Sequence, residues 1–472
     1  MRNLLTLALA LGLAGAVSAQ NNATTNQTGT DNVANVEQVG QNTSNVDQNS
    51  VGAGAFVDQA GTGNASGITQ SDSDLDQSIG AVPQDPEAFV TQNGQDNAST
   101  VTQSAVSGSR NLVTNVNQSG ANNVSGVSQD AQGPGFTGTF RASATQTGDA
   151  DSDISQTGAG QSARNLTARV TQDASTSQID QSVDGTNSRQ ILAEVNQTGG
   201  SFSDIDQTVD ADGVQDINAF VTQSNGASST ISQNAFGNDS NTMTATVNQD
   251  GMSSSMITQT YDNDLSNTFT VTVDQVGDMH SSTVTQRDLA GGSGGDSNLI
   301  ADIDQSGSDN TSVLSQLNRS QNASVTQSGS GQDSDASQTG NRNSLDLDQS
   351  GLDNSSFSDQ RGNGTATIAQ TGEGNFSNVL QAGNFAKEAN VTQDGNGSFV
   401  DIDQLGGRFD VATVEQGASA DGASATIIQN GMGNTETRNM ALIQQNLMGG
   451  GAGNTATVTQ TGTGNSATTV QN

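Results

Sequence analysis

Glutamine recurs along this chain at a spacing that few folds can satisfy. Counted back from Gln471, it falls at 460, 445, 429, 416, 404, 393, 381, 370, 360, 349, 338, 327, 316 and 305, with most gaps 10 to 12 residues long. Other positions within a gap are fixed too. The order QxGxxNxAxVxQ, with substitutions, runs from Gln370 through Gly372, Asn375, Ser377 and Val379 to Gln381, and from Gln59 through Gly61, Asn64, Ser66 and Ile68 to Gln70. The fifth, seventh, ninth and eleventh residues after each Gln share one face of a strand, because strand side chains alternate. The early glycine marks a reversal that needs positive φ or close backbone approach. Each gap is therefore one strand plus one turn. A lone strand of this kind buries almost nothing, so it is stable only with like strands stacked above and below.

Two successive gaps make a strand-turn-strand rung of roughly 22 residues. The expected fold is all-β, a solenoid with two arms per rung and a thin core of Gln, Asn, Ala or Ser, and Val or Ile. Amides stacked in register hydrogen-bond along the stack, which satisfies polar groups that would otherwise be buried at a cost. The inward ladder is expected to contain Gln305, Gln316, Gln327, Gln338, Gln349, Gln360, Gln370, Gln381, Gln393, Gln404, Gln416, Gln460 and Gln471, with Asn375 and Asn465.

The pattern also varies along the chain. Gln172, Gln197, Gln223, Gln249 and Gln275 head a superperiod of about 26 residues, and the inward face gains an apolar position there, as in Met243, Ala245 and Val247 or Phe269, Val271 and Val273. One arm of each rung is expected to be longer in this block. "LAGGSGGDS" (289–297) reads as a joint between an N-terminal array, 20–288, and a regular C-terminal array, 298–472. "AVPQDPEAF" and "QGPGFTG" hold all three prolines and read as excursions from the stack.

"MRNLLTLALALGLAGAVSAQ" has a basic start, an apolar run and a small-residue cleavage site, so residues 1–19 read as a signal peptide. Export without a single cysteine leaves the fold without covalent staples. A hydrophobic fraction of 30% with a net charge of -36 ordinarily marks disorder, but three prolines and strict periodicity argue for order. The acidity disfavours nucleic acid and anionic membrane as partners, and no later segment is long and apolar enough to enter a bilayer.

Stretches such as "QTGTGNSATTVQ" and "QTGEGNFSNVLQ" resemble the curlin repeat, the unit of the major subunit of bacterial curli fibres, and the likeness covers nearly all of the mature chain. The resemblance implies a subunit that passes the periplasm, leaves through a dedicated outer-membrane channel and polymerises with itself, with help from a nucleator subunit, into extracellular functional amyloid of a biofilm matrix that serves cell adhesion. The chain departs from it in its length, its widened middle block and its short leader, "QNNATTN".

Catalytic chemistry has little to work with. His280 is the single histidine, which excludes a histidine cluster for metal; a solvent-facing position is expected for it. "GGSGGD" (291–296) only partly fits a calcium-roll unit and has no tandem copy, so it reads as a loop. No cofactor, metal site or enzymatic activity is expected. D[LI]DQ recurs at Asp74–Asp76, Asp204–Asp206, Asp302–Asp304, Asp346–Asp348 and Asp401–Asp403, with the apolar residue inward and both carboxylates outward. These acids are expected to keep the chain soluble; calcium binding is the alternative.

The last repeat runs to Gln471, which leaves no room for a cap, and a bare rung is a template for another chain. End-to-end self-association is therefore expected. The alternative is a soluble monomeric solenoid, a surface adhesin or ligand-binding module; ice binding would require a flat array of outward Thr at regular spacing, whereas outward positions here mix Thr, Asp, Ser and Asn.

Overall fold

The computed structural model describes residues 20–72, 86–105, 112–132, 139–159, 165–184, 190–210, 216–236, 242–262, 267–288, 297–406, 408–431, 438–445 and 453–471. The signal segment 1–19, Asp74–Asp76, Pro83, Pro134 and the joint from 289 to 296 lie outside the described residues. The chain divides into two compact units, Met1–Thr198 and Gly199–Asn472. Every regular element among the described residues is a β-strand.

In each unit the strands form two columns, and the chain alternates between them. Column A of the first unit stacks the arms ending in Gln27, Gln48, Gln70, Gln103, Gln129, Gln156 and Gln181, all parallel, with each Gln opposite the next. Column B stacks those of Gln38, Gln59, Gln92, Gln118, Gln146, Gln172 and Gln197. The second unit repeats the plan. Its column A runs from Gln207 to Gln460 and its column B from Gln223 to Gln471. Parallel strands need a crossover connection. Here the crossover is the arm of the other column, so each unit is a β-solenoid.

Alternation decides what is buried. In Ser344–Leu352, Leu345, Leu347 and Gln349 point inward and are buried, while Asp346 and Asp348 face solvent. Stacking like on like then builds columns of one residue type. Column A carries serine, as at Ser312, Ser334, Ser356 and Ser377; column B carries mainly alanine, as at Ala301, Ala323, Ala366 and Ala389.

Turns are as regular as arms. Gly307, Gly329, Gly351 and Gly372 lie one above another with φ between +105° and +112°. A β-carbon on Gly329 would collide with the backbone carbonyl oxygen of Gly351 in the next rung, so glycine is required both for its φ and for the space. The residue before the corner asparagine is left-handed as well, which suits the Asp309 and Asp353 found there, at φ 57° and 52°.

The widened block appears in both units and starts earlier than the sequence period indicates. Leu112, Phe140, Leu166 and Ile191 hold the corner of column B in the first unit, and Ile217, Met243, Phe269 and Leu299 do so in the second. All are buried, and Tyr261 meets Phe269 edge-on at 6.0 Å between ring centroids. Elsewhere the same corner is often asparagine, as at Asn32, Asn343, Asn439 and Asn465. Pro86 stands in this column rather than outside the stack, its carbonyl accepting from the Gly54 N–H at 2.9 Å.

Candidate functional site

The stacked glutamines of the second unit form two amide chains. In column B each Nε2 donates to the Oε1 of the following Gln: Gln305 to Gln327 at 2.7 Å, Gln327 to Gln349 at 2.8 Å, Gln349 to Gln370 at 2.8 Å, Gln370 to Gln393 at 2.8 Å and Gln393 to Gln416 at 3.0 Å. Column A does the same from Gln316 through Gln338, Gln360, Gln381 and Gln404 to Gln429 and Gln460, at 2.8 to 2.9 Å. The amide has a second proton, and it ties the two arms together. Gln327 donates it to the Thr311 carbonyl at 2.9 Å, and Gln338 to the Asn322 carbonyl at 3.0 Å. Every buried polar atom of these side chains thus has use for a partner, as burial requires.

Asn375 and Asn465 sit at the corners, in different columns, and bond to backbone and not to the glutamine chains. Asn375 donates Nδ2 to the Thr371 and Gly395 carbonyls at 3.0 and 2.7 Å, and its Oδ1 accepts from the Ser398 N–H at 3.0 Å. Asn465 donates Nδ2 to the Thr461 carbonyl at 3.0 Å, and its backbone N–H donates to Asn439 Oδ1 of the adjacent rung at 3.1 Å. The asparagine is a clamp that closes its own turn and docks the next.

His280 takes the same role. It is buried, not solvent-facing: its Nε2 lies 3.1 Å from the Val276 carbonyl, and its Nδ1 accepts from the Asn310 N–H at 3.4 Å. Those partners require a neutral ring protonated on Nε2. The expectation failed because a corner asparagine and a corner histidine offer the same donor and acceptor, a substitution that hydropathy does not flag.

In the first strands of the first unit and the last strand of the second, the core positions are less covered than elsewhere. In Asn22–Thr28 the inward Ala23, Thr25 and Gln27 are all exposed, and Ala34, Val36 and Gln38 are half-buried. In Ser466–Gln471 the inward Ala467, Thr469 and Gln471 are half-buried. Their counterparts Ala389, Val391 and Gln393 are at most 1% exposed. The end strands nevertheless keep full register: Gln27 donates to Gln48 at 2.7 Å, and Gln445 donates to Gln471 at 2.7 Å. Because the amide chains run one way, the two ends differ. The acceptor oxygens of Gln27 and Gln38 receive no amide from a further rung among the described residues, while Gln460 and Gln471 end as donors, to the carbonyls of Met440 at 2.8 Å and Thr455 at 3.1 Å.

The outer faces are strongly acidic. Burial, then Asp274 and Asp304, hold the Asp302 carboxyl above its ordinary range; burial, then Asp333 and Asp359, do so for Asp335; burial, then Asp401, for Asp403; burial, then Asp180 and Asp151, for Asp153. Among the described residues, no three His, Cys, Asp or Glu side chains form a group that could hold a metal ion, and no helix is long and apolar enough to cross a membrane. Ile205, Ile303, Leu347 and Ile402 of the D[LI]DQ units are buried, which places their aspartates outward. No family model and no curated protein matches the chain.

Proposed function

We propose that this chain is a secreted structural subunit that assembles end to end into extracellular fibres, in the manner the curlin-repeat resemblance implies. The observation that carries the reading is the state of the end rungs: they hold repeat register and amide direction, yet their core residues are left open. A second copy whose Gln27 and Gln38 arms stack on the Gln460 and Gln471 arms covers that surface and continues both amide chains. Such a contact is heterologous and does not close, so it produces filaments. On this reading the subunit leaves through the periplasm and an outer-membrane channel, a nucleator starts growth, and the fibre serves matrix formation and adhesion. The outward carboxylates slow pairing between chains until the ends meet.

A second reading has its own observation. Thr242, Thr244 and Thr246 lie in register with Thr268, Thr270 and Thr272, and all six face outward. This outward Thr patch is two strands wide, flanked by Asn218 and Phe220 on one side and Ile300 and Asp302 on the other, and it is the surface a monomeric ice-binding solenoid would use. One experiment separates the readings: electron microscopy of the purified mature chain beside a variant with a capping helix fused after Asn472. Fibres from the first and none from the second support assembly. A monomer from both, with ice recrystallisation inhibited and the inhibition lost in Thr246→Lys, supports the second reading.

A further inference from the structure

Stacks of near-identical rungs have a register problem. A rung looped out of the stack lets its neighbours pair with almost nothing lost, because slippage is resisted only where the inward pattern differs. Three successive column B arms show how little differs here. Their inward residues are Ala389, Val391 and Gln393, then Ala412, Val414 and Gln416, then Ala441, Ile443 and Gln445, paired in that order. If the middle arm of this column were expelled with its rung, Gln393 would stack on Gln445, Val391 on Ile443 and Ala389 on Ala441, a change within column B of one methylene. The corner is the exception. There the three rungs carry Lys387, Asp410 and Asn439.

Lys387 is the single lysine of the chain, and it is buried. Its Nζ lies 3.5 Å from Asp410 Oδ2, with both side chains 1% exposed. Asp410 also does the work of the corner asparagine, since its Oδ1 accepts from the Asn439 N–H at 3.4 Å. An asparagine could do that alone. The charge on Asp410 answers the charge on Lys387, and nothing in the repeat asks for either. Breaking a buried pair is costly because it strands a charge in a place water does not reach.

We propose that Lys387 and Asp410 are a register key, which fixes the order of otherwise interchangeable rungs near the C-terminal end of the array. In the native order the ammonium meets a carboxylate. In the order one rung out it meets the neutral Asn439, and the slipped form is disfavoured roughly 10²–10³-fold by the stranded charge. A neutral asparagine pair at the same positions would stabilise both orders alike.

The absence of cysteine makes the register measurable. Asn390 and Thr413 are lateral neighbours, and Thr413 is in turn the neighbour of Leu442. Cysteines at 390 and 413 lie one strand spacing apart and within disulfide reach, whereas 390 and 442 are about 9–10 Å apart and beyond the roughly 7 Å limit unless a rung is lost. The pairs N390C/T413C and N390C/L442C are oxidised in dilute full-length mature protein, and intramolecular bridges are scored by mass spectrometry. With the key intact, the first pair should close and the second stay at background. In K387N/D410N, closure of N390C/L442C should rise at least tenfold at unchanged β-sheet circular dichroism, and in the exchanged pair K387D/D410K it should fall back. Background closure in K387N/D410N overturns the proposal. So does loss of β-structure in that variant, or an exchanged pair that slips as freely as the asparagines.

Discussion

Gln327 offers the sharpest test of what the glutamines do. Its amide takes part in three hydrogen bonds: it donates to Gln349 Oε1 at 2.8 Å and the Thr311 carbonyl at 2.9 Å, and it accepts from Gln305 at 2.7 Å. Gln327→Leu keeps most of the volume and removes all three. A neutral hydrogen bond is worth about 1 kcal/mol net, and a buried group left without its partner costs about 1–3 kcal/mol, so the loss should be about 2–4 kcal/mol. Gln327→Ala adds a cavity and should cost about 4–6 kcal/mol. Gln471→Leu, at a half-buried end position where water replaces the lost partners, should cost under about 1 kcal/mol. The assay is urea unfolding of the monomer followed by circular dichroism. Hydrogen exchange in the arms ending at Gln305 and Gln349 adds a local readout, since solenoid rungs depend mainly on their neighbours. A Gln327→Leu variant within about 0.5 kcal/mol of the parent would refute the argument, because packing alone would then explain the ladder.

Gly329→Ala should cost several kcal/mol and loosen the turn column, given its φ of +108° and the carbonyl of Gly351 in the way, whereas Gly374→Asn, at φ +68° with open space around it, should cost about 1 kcal/mol or less by the same unfolding assay. His280→Asn should retain both corner bonds and change stability by under about 1 kcal/mol, while His280→Ala should lose about 1–3 kcal/mol. The raised carboxyls of Asp153, Asp302, Asp335 and Asp403 bind protons more readily in the folded chain than in the unfolded one, so folding gains as pH falls from their folded values towards the ordinary aspartate value near 4. Urea midpoints should rise over that window, and the rise should shrink in Asp302→Asn; midpoints that fall throughout would contradict the electrostatic picture.

Much of this architecture was legible because the period is written in one residue type. A glutamine every 10 to 12 residues with alternating neighbours leaves a stacked parallel solenoid as the way to satisfy both the strands and the amides. What the period did not reveal lies at the corners. Leu112 and Phe140 belong to the widened block, but the segments that follow Ala105 and Ala131 vary in length and blur the superperiod that becomes regular only from Gln172. The difference between Ser in column A and Ala in column B emerges only when alternate repeats are compared, since in the linear order the two interleave. His280 and Lys387 look like ordinary surface residues in a polar sequence. Their burial follows from position in the rung, six residues before an anchor glutamine, and not from their own hydropathy.

The most direct test of end-to-end assembly is a covalent one across the boundary between copies. Thr459 and Asn26 each immediately precede an anchor, Gln460 and Gln27, and face outward. If a second copy continues column A, these two positions become lateral neighbours, about 4.8 Å apart and within disulfide reach. The N26C/T459C chain, oxidised after assembly and run on a non-reducing denaturing gel, should give a long ladder of covalent multimers, while either single variant stops at the dimer or below. Fibres that form normally but yield no ladder would show that copies do not stack end on end, and the account of how the open rungs are used would be wrong.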